Sequence, residues 1–258
     1  MTDAAGNKHS KVDEMPLMGH LLELRNRLLK AIILVIIFFA VMFPFSNELY
    51  LYLSEPLRSL LPEGSTMIAT QVASPFLAPF KLTMVLALFV GMPFILHQAW
   101  SFIAPGLYKS EKRLALPLLV SSILLFYAGI AFAYYVVFPL MFGFFTATGP
   151  DQVAVMTDIS AYLDFVLKIF FAFGIVFEIP IATLLLIWTG ATTPASLGKK
   201  RAYVVVSCFV IGMLITPPDV ISQTLLAVPM WLLFEVGIIF GRFVKPRKED
   251  KNAEADVA

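Results

Sequence analysis

Six long apolar stretches, separated by short segments that carry most of the charges, constrain this chain more than any other feature of its sequence. A helix that crosses a membrane needs about 20 mostly apolar residues. Six candidate stretches are long or nearly long enough: Leu28–Phe45, part of Leu82–Tyr108, the early part of Leu114–Pro150, part of Asp164–Gly198, Ala202–Thr216 and Val220–Gly241. With 59% hydrophobic and 14% charged residues, the composition excludes an ordinary water-soluble domain. We predict an all-α integral membrane protein with six transmembrane helices.

The positive charges predict how these helices are oriented. Sixteen of the 19 Lys and Arg residues lie in four segments: the N-terminal segment, the loops after the second and fourth stretches, and the C-terminal tail. The intervening loops contain only Arg58, while Lys81 and Lys168 lie near helix ends. Because cytoplasmic loops are enriched in Lys and Arg, we predict a multi-pass membrane protein with both termini in the cytoplasm.

The last two stretches form a short hairpin. Ala202–Thr216 has 15 residues, which as a helix span about 22 Å, less than the roughly 30 Å of a hydrocarbon core. The hairpin either re-enters the membrane without crossing it, or crosses it and thins the bilayer locally. We favour crossing with local thinning.

Outside the apolar stretches, residues 46–75 are expected to lie on the outer side. Apolar residues recur there at spacings of three and four, which predicts an amphipathic helix. The segment forms either a packed periplasmic cap or a surface-lying connector, and we favour the packed cap. The predicted organisation is a cytoplasmic tail (1–15), a membrane domain (16–241) and a disordered cytoplasmic tail (242–258).

Prolines inside the predicted membrane helices are expected to bend them, because proline removes a backbone hydrogen bond and clashes with the preceding turn. Those inside the stretches are Pro93, Pro117, Pro139, Pro180 and Pro229.

The sequence lacks the motifs of a catalytic, nucleotide-binding or metal site. His9, His20 and His97 are scattered and do not have metal-ligand spacing. We therefore expect no enzyme activity, no catalytic residues, no cofactor or metal, and no nucleic-acid partner. Cys208 lies in an apolar stretch and is expected to pack as a small hydrophobic residue.

Two polar segments at the predicted cytoplasmic side each allow a structural and a functional interpretation. Glu23 precedes Arg27 by four residues, a favourable spacing on a helix, and this pair either holds an interfacial helix or forms part of a site. The second segment, Trp100–Arg113, contains Phe102, Leu107 and Tyr108, with Glu111 as its only acid. It is either an interfacial anchor or a surface that combines apolar contacts with a carboxylate.

Glu178 lies near the middle of the fourth apolar stretch. A carboxylate at this depth is costly unless it is protonated, paired or in contact with water, so such residues are usually functional. Lys168 lies about 15 Å away along the same helix and is too distant to pair with it locally. The alternative is a protonated acid hydrogen-bonded between helices. Glu235, seven residues before Arg242, is expected to orient its helix.

Several long motifs resemble the TatC family, the receptor subunits of the twin-arginine protein translocase. The resemblance extends over about residues 16–241. It is carried by His20–Leu28, Ser54–Leu57, Met67–Thr70, Phe102–Arg113, Phe138–Pro139, Phe177–Pro180 and Met213–Gln223.

The resemblance implies that the chain binds Arg-Arg signal peptides of folded proteins. Carboxylates at Glu23 and Glu111 would recognise the two arginines. The supporting residues of this site are Phe102, Tyr108, Lys112 and Arg113. The positions with implied structural roles in the cap and loop are Pro56, Pro105 and Leu107.

The resemblance also implies partners. Small single-span subunits, TatA- and TatB-like, would contact the intramembrane polar residues Glu178 and Gln223 and the hairpin positions. The hairpin positions implied are Met213, Thr216, Pro218, Asp219 and Gln223. Transport would be driven by the proton-motive force, with several copies of the chain in one complex surrounded by membrane lipids. The competing hypothesis is a secondary transporter or channel that uses Glu178.

Overall fold

The computed structural model describes residues 10–59, 67–103, 112–147, 156–216 and 219–243. Over these residues the chain is helical, which confirms the all-α prediction. The helices are α1 (Ser10–Met42), α2 (Ser46–Arg58), α3 (Ser74–Val90), α4 (Met92–Ile103), α5 (Lys112–Phe132), α6 (Phe138–Ala147), α7 (Ile159–Val176), α8 (Ile179–Trp188), α9 (Pro194–Lys199), α10 (Arg201–Ile215) and α11 (Val220–Phe243).

Four helical segments in the described part are long and apolar enough to cross a membrane. They are Leu21–Arg58, Leu116–Phe145, Ile159–Trp188 and Val220–Phe243. Helices α3 and α4 together form a bent pair, which is either a fifth, broken span or a re-entrant loop. The predicted count of six depends on α10, which is apolar but has only 15 residues. Six spans therefore stay a prediction.

Interruptions occur close to several of the prolines in the apolar stretches. Helices α3 and α4 meet at Gly91 with a bend of 50°, and Pro93 follows two residues later. Before Pro139 the chain forms a π turn, Ala133–Val137, in which the Phe138 N–H donates to the Ala133 carbonyl. Pro180 lies in the first turn of α8, where its missing N–H costs little. Three of the five prolines therefore lie at interruptions, whereas Pro117 and Pro229 lie inside the continuous helices α5 and α11.

The described chain divides into two compact units. The first unit comprises Met1–Tyr52 and Phe76–Ile123. Within it, the ring of Phe80 lies edge-on to those of Phe39 and Phe43, with centroid distances of 5.1 and 5.9 Å. Only 6% of the apolar window that includes α1 is buried. Most of its apolar surface is therefore exposed, as expected for a helix that faces lipid.

The second unit comprises Leu53–Pro75 and Leu124–Ala258, and α7 lies at its centre. The apolar window through α7 and α8 is 44% buried. Gly129 of α5 permits a close approach to α7, because an added Cβ would lie 2.5 Å from the Phe173 carbonyl oxygen. Cys208 is 5% exposed and packs with Val176 and Met230, which confirms its predicted role as a small hydrophobic residue.

Helices α8 and α11 also pack closely through small residues. Gly237 and Gly241, four residues apart, lie on one face of α11, the spacing that lets membrane helices approach each other. A Cβ at Gly237 would come within 3.1 Å of the Pro180 Cα, and one at Gly241 would overlap the Ile187 side chain. These glycines therefore set the separation between the two helices.

Part of the predicted cap packs within the second unit. Leu53 and Leu57 of α2 are buried, and the Tyr162 hydroxyl donates to the Leu53 carbonyl at 2.9 Å. The amphipathic helix predicted here is therefore present, and the packed arrangement fits these contacts better than a surface-lying connector. Pro56, assigned to the cap by the resemblance, lies inside α2.

Asp158 connects the cap to the start of α7. One carboxylate oxygen accepts hydrogen bonds from the backbone N–H groups of Ser160 and Ala161, and so caps the helix. The other accepts from the backbone N–H and the hydroxyl of Thr70, at 2.9 and 2.7 Å. The Thr70 hydroxyl is the main cause that holds the pKa of Asp158 at about 2, below its usual 3.8, with the backbone donors adding to it.

Replacing Asp158 with asparagine is expected to lower the thermal stability of the purified protein at pH 7. A depressed pKa stabilises the fold above the ordinary carboxyl pKa, and this contribution is lost as the pH falls from about 4 to about 2. The difference in melting temperature between wild type and variant should therefore shrink over that range. Glu48→Gln, at an exposed acid of α2, is the control. A difference that stays constant with pH would contradict the prediction.

Candidate functional site

Glu23 and Arg27 form an ion pair on the exposed first half of α1. Arg27 donates from Nε and Nη2 to Oε1 of Glu23, at 3.0 and 2.5 Å. The Glu23 side chain is 39% exposed and that of Arg27 is 22% exposed. The pair predicted from the four-residue spacing is therefore present. Both contacts converge on one carboxylate oxygen.

Gln98 extends this pair to a second helix. Nη1 of Arg27 donates to Oε1 of Gln98 at 3.3 Å, across the contact between α1 and α4. Arg27 thus holds Glu23 with one side of its guanidinium and Gln98 with the other. We call Glu23, Arg27 and Gln98 the carboxylate cluster. No spacing rule relates Arg27 to Gln98, which lies 71 positions away in the sequence, so sequence reasoning missed this residue.

The other residues of the predicted peptide site are only partly described. Phe102 lies in the last turn of α4, one helical turn beyond Gln98, and its side chain is half-buried. Pro105, Leu107, Tyr108 and Glu111 lie outside the described residues. The backbones of two further residues of the set begin α5, but their side chains lie outside the description: Lys112 and Arg113.

Glu178 lies at the junction between α7 and α8, within the second unit. The backbone is nearly continuous across this junction, because the Glu178 carbonyl still accepts a hydrogen bond from the Ala182 N–H at 2.9 Å. Its side chain is half-buried and its Oε1 atom is buried. An ionisable group at a helix junction inside an apolar span is the arrangement expected of a functional polar position. Its role stays a prediction.

The predicted partner positions at the α10–α11 hairpin differ in exposure. Met213 is 51% exposed and is accessible to a second molecule. Thr216 is buried and its hydroxyl donates to the Gly212 carbonyl, while Oδ1 of Asp219 accepts from the Ser222 N–H at the start of α11. These two side chains therefore stabilise the end of α10 and the start of α11. Gln223 is half-buried against Gly212, and Pro218 lies outside the described residues.

Glu235 pairs with a residue that the sequence did not indicate. Arg201 donates from Nε and Nη2 to the two carboxylate oxygens of Glu235, at 2.5 and 2.7 Å. This bidentate pair connects the start of α10 to α11, which is compatible with the expectation that Glu235 orients its helix.

Groups of three or more His, Cys, Asp or Glu residues that could hold a metal ion do not occur within the described part of the chain. The carboxylate cluster offers charge and hydrogen-bond acceptors at a surface flanked by apolar side chains. This chemistry suits the recognition of a cationic ligand, and it lacks a positioned nucleophile.

The chain is similar to known protein translocase proteins over most of its length. A profile of the family described as Sec-independent protein translocase protein (TatC) matches residues 19–229. Proteins named Sec-independent protein translocase protein TatC are 63% identical over 236 residues in Azotobacter chroococcum mcd 1, covering 92% of each chain, and 59% identical over 231 residues in Escherichia coli K12, covering 90% of each.

The fold is similar to a solved structure as well. A crystal structure described as the twin arginine translocase receptor TatC superposes with a TM-score of 0.78 at 39% sequence identity, covering 87% of this chain and 99% of the other. Sequence and fold agree over the same region, and the relatives are named as translocase components rather than as enzymes. The chain therefore belongs to the TatC family of Sec-independent protein translocase proteins.

Proposed function

We propose that this protein is the receptor subunit of a twin-arginine translocase and binds the Arg-Arg signal peptides of folded proteins at the carboxylate cluster. The single observation that carries the proposal is an acid already bound to an arginine at a partly exposed position. Glu23 binds the guanidinium of Arg27 through one carboxylate oxygen, so this acid is positioned to bind arginine. Glu111, which lies outside the described residues, is the proposed second acid.

The geometry of the pair leaves room for a guest arginine. Both hydrogen bonds from Arg27 end on Oε1 of Glu23. Oε2 accepts no hydrogen bond from the residues that the structure describes. A carboxylate has about four acceptor positions, so Oε2 is available to a peptide guanidinium. A guest arginine then either shares Glu23 with Arg27 or displaces Arg27 toward Gln98.

The ion pairs alone do not supply the affinity of a specific receptor. An exposed pair contributes about 0–1 kcal/mol, and a charge-assisted hydrogen bond contributes about 1.5–3 kcal/mol. Two such contacts fall short of the roughly 8 kcal/mol of micromolar binding. The apolar part of the signal peptide must contribute the remainder.

Apolar surface for that contribution lies next to Glu23. Leu21, Leu24 and Leu28 are 61%, 45% and 58% exposed on one face of α1. In an aqueous setting such a row would be costly, whereas at a membrane it packs against lipid or against another apolar helix. The apolar segment of a signal peptide fits this face.

The proposal includes orientation, partners and energy source. Both termini are placed in the cytoplasm of a bacterial inner membrane, because the Lys and Arg residues cluster in alternate segments. TatA- and TatB-like single-span subunits would pack against the exposed hairpin surface that includes Met213 and Leu214, and against Glu178 and Gln223. Export would use the proton-motive force, and several copies of the chain would work in one complex.

The proposal is tested by peptide binding to the full chain purified in detergent. A twin-arginine signal peptide is expected to bind, and the same peptide with both arginines replaced by lysine is expected to bind much more weakly. Lysine keeps the charge but lacks the planar fork that matches a carboxylate. Equal affinity for the two peptides would overturn the proposed recognition. Substrate flux through vesicles containing the purified protein alone would instead support the transporter hypothesis.

A further inference from the structure

A positively charged cavity lies where α9, α10 and the end of α11 meet, within the second unit. Its volume is about 620 Å³, a size that accommodates a small polar group. Its walls carry three cationic side chains and a hydroxyl: Lys199, Arg201, Arg242 and Thr193. The predicted peptide site, the hairpin turn and Glu178 do not involve any of these residues.

One of the three cations in this cavity, Arg201, is held in place by an acid. Glu235 accepts two hydrogen bonds from Nε and Nη2 of Arg201, which fixes the guanidinium and uses one edge of it. Nη1 of Arg201 takes no part in that pair. Among the residues that the structure describes, one acid against three cations leaves an excess of two positive charges at the cavity. This excess favours an anionic ligand.

Thr193 contributes a donor at the same place. Its Oγ1 caps α9 by accepting from the Ser196 N–H at 3.2 Å. Because the oxygen serves as acceptor there, the hydroxyl hydrogen stays available to donate to a ligand. Guanidinium, ammonium and hydroxyl donors together match the oxygens of a phosphate group.

The position of the cavity along the helices indicates whether that phosphate belongs to a lipid or to a free phosphate ion. Arg201 begins α10, and Arg242 lies in the last turn of α11, so both mark the same end of the hairpin. Helix α11 has 24 residues, about 36 Å, which is long enough to span a bilayer. Its end therefore lies at the level of lipid headgroups.

Exposed apolar side chains continue from the cavity into the spanning segments. Tyr203 of α10 is 76% exposed, and Phe240 and Phe243 of α11 are 55% and 81% exposed. A free phosphate ion would gain nothing from these side chains, whereas the acyl chains of a phospholipid pack against them. We propose that this cavity binds the phosphodiester headgroup of an anionic phospholipid, with the acyl chains along the exposed faces of α10 and α11.

The proposal is tested by native mass spectrometry of the full chain in detergent, titrated with phosphatidylglycerol, phosphatidylcholine or the soluble headgroup glycerophosphoglycerol. Phosphatidylglycerol is expected to bind more tightly than phosphatidylcholine, and the soluble headgroup is expected not to bind at the same concentration. Each basic residue near an anionic membrane contributes roughly a fivefold gain in affinity. Lys199→Gln with Arg242→Gln should therefore weaken phosphatidylglycerol binding about 25-fold.

Two further variants control for net charge and for folding. Lys30→Gln with Lys200→Gln removes the same charge from exposed positions that do not line the cavity, and should leave the affinity within about twofold of wild type. Lys199→Arg with Arg242→Lys keeps the charges and should retain binding. The proposal would be overturned if the control pair weakened phosphatidylglycerol binding as much as the cavity pair does, or if the cavity pair left this binding unchanged. It would also be overturned if the soluble headgroup bound as tightly as the lipid.

Discussion

Replacing Glu23 with glutamine is expected to weaken twin-arginine peptide binding by about tenfold to a hundredfold. Glutamine keeps the size and an acceptor oxygen but removes the charge, and a charge-assisted hydrogen bond contributes about 1.5–3 kcal/mol. The measurement is a peptide titration of the full chain in detergent. Glu48→Gln is the matched control, because Glu48 is an exposed acid in the first turn of α2. That control should bind as the wild type does.

The effect of Glu23→Gln must be separated from its effect on Arg27, which is paired with Glu23. Removing the charge of Glu23 leaves the Arg27 guanidinium without its ion-pair partner, where it repels a peptide arginine. Arg27→Gln alone is expected to tighten peptide binding, because Glu23 loses its internal competitor. Comparing Glu23→Gln in the wild-type and Arg27→Gln backgrounds separates the two effects. If Glu23→Gln has no effect in the Arg27→Gln background, Glu23 only neutralises Arg27 and does not bind the peptide.

Replacing Gly129 with alanine is expected to lower the free energy of unfolding by about 1–3 kcal/mol, the usual cost of overpacking. The new Cβ would lie 2.5 Å from the carbonyl oxygen of Phe173 and 3.0 Å from the ring of Phe177. The nearest of these atoms belongs to the backbone of α7, so relief requires the two helices to separate. The measurement is denaturant unfolding of the purified protein in mixed micelles.

Gly143→Ala is the control for the intrinsic effect of alanine in a helix. Gly143 lies in α6, and an added Cβ there would have no atom within 4 Å. Alanine is up to about 1 kcal/mol more favourable than glycine inside a helix, so this variant should be as stable as wild type or more so. If both alanine variants unfold alike, close packing at Gly129 does not limit the stability of α5 against α7.

Features that depend on neighbouring positions were predictable from the sequence. The apolar stretches other than Ala202–Thr216 coincide with helices that are long enough to cross a membrane, alone or as the bent pair α3 and α4, because burial in lipid is a property of each segment. The Glu23–Arg27 pair was predictable because residues four apart on a helix are always neighbours. The amphipathic helix of the cap was predictable for the same reason, since its spacing of three and four places Leu53 and Leu57 on one face.

Contacts between distant segments were not predictable in this way. Glu235 illustrates the limit, because the sequence indicated no partner for it, whereas it binds Arg201 34 positions away. The Asp158 contact with Thr70 joins residues 88 positions apart, and its effect on the pKa of Asp158 follows only from that contact. Both pairs depend on which helices become neighbours, and hydropathy carries no such information.

The sequence by itself determined the membrane class, the positions of the apolar helices and the local ion pair, because the bilayer and the helical repeat impose these on each segment separately. It also determined the family, through long motifs that extend over most of the chain. Only the tertiary structure decided that Gln98 joins Glu23 and Arg27, and that three cations surround one cavity. Those arrangements require close helix packing, which depends on the shape of two surfaces at once.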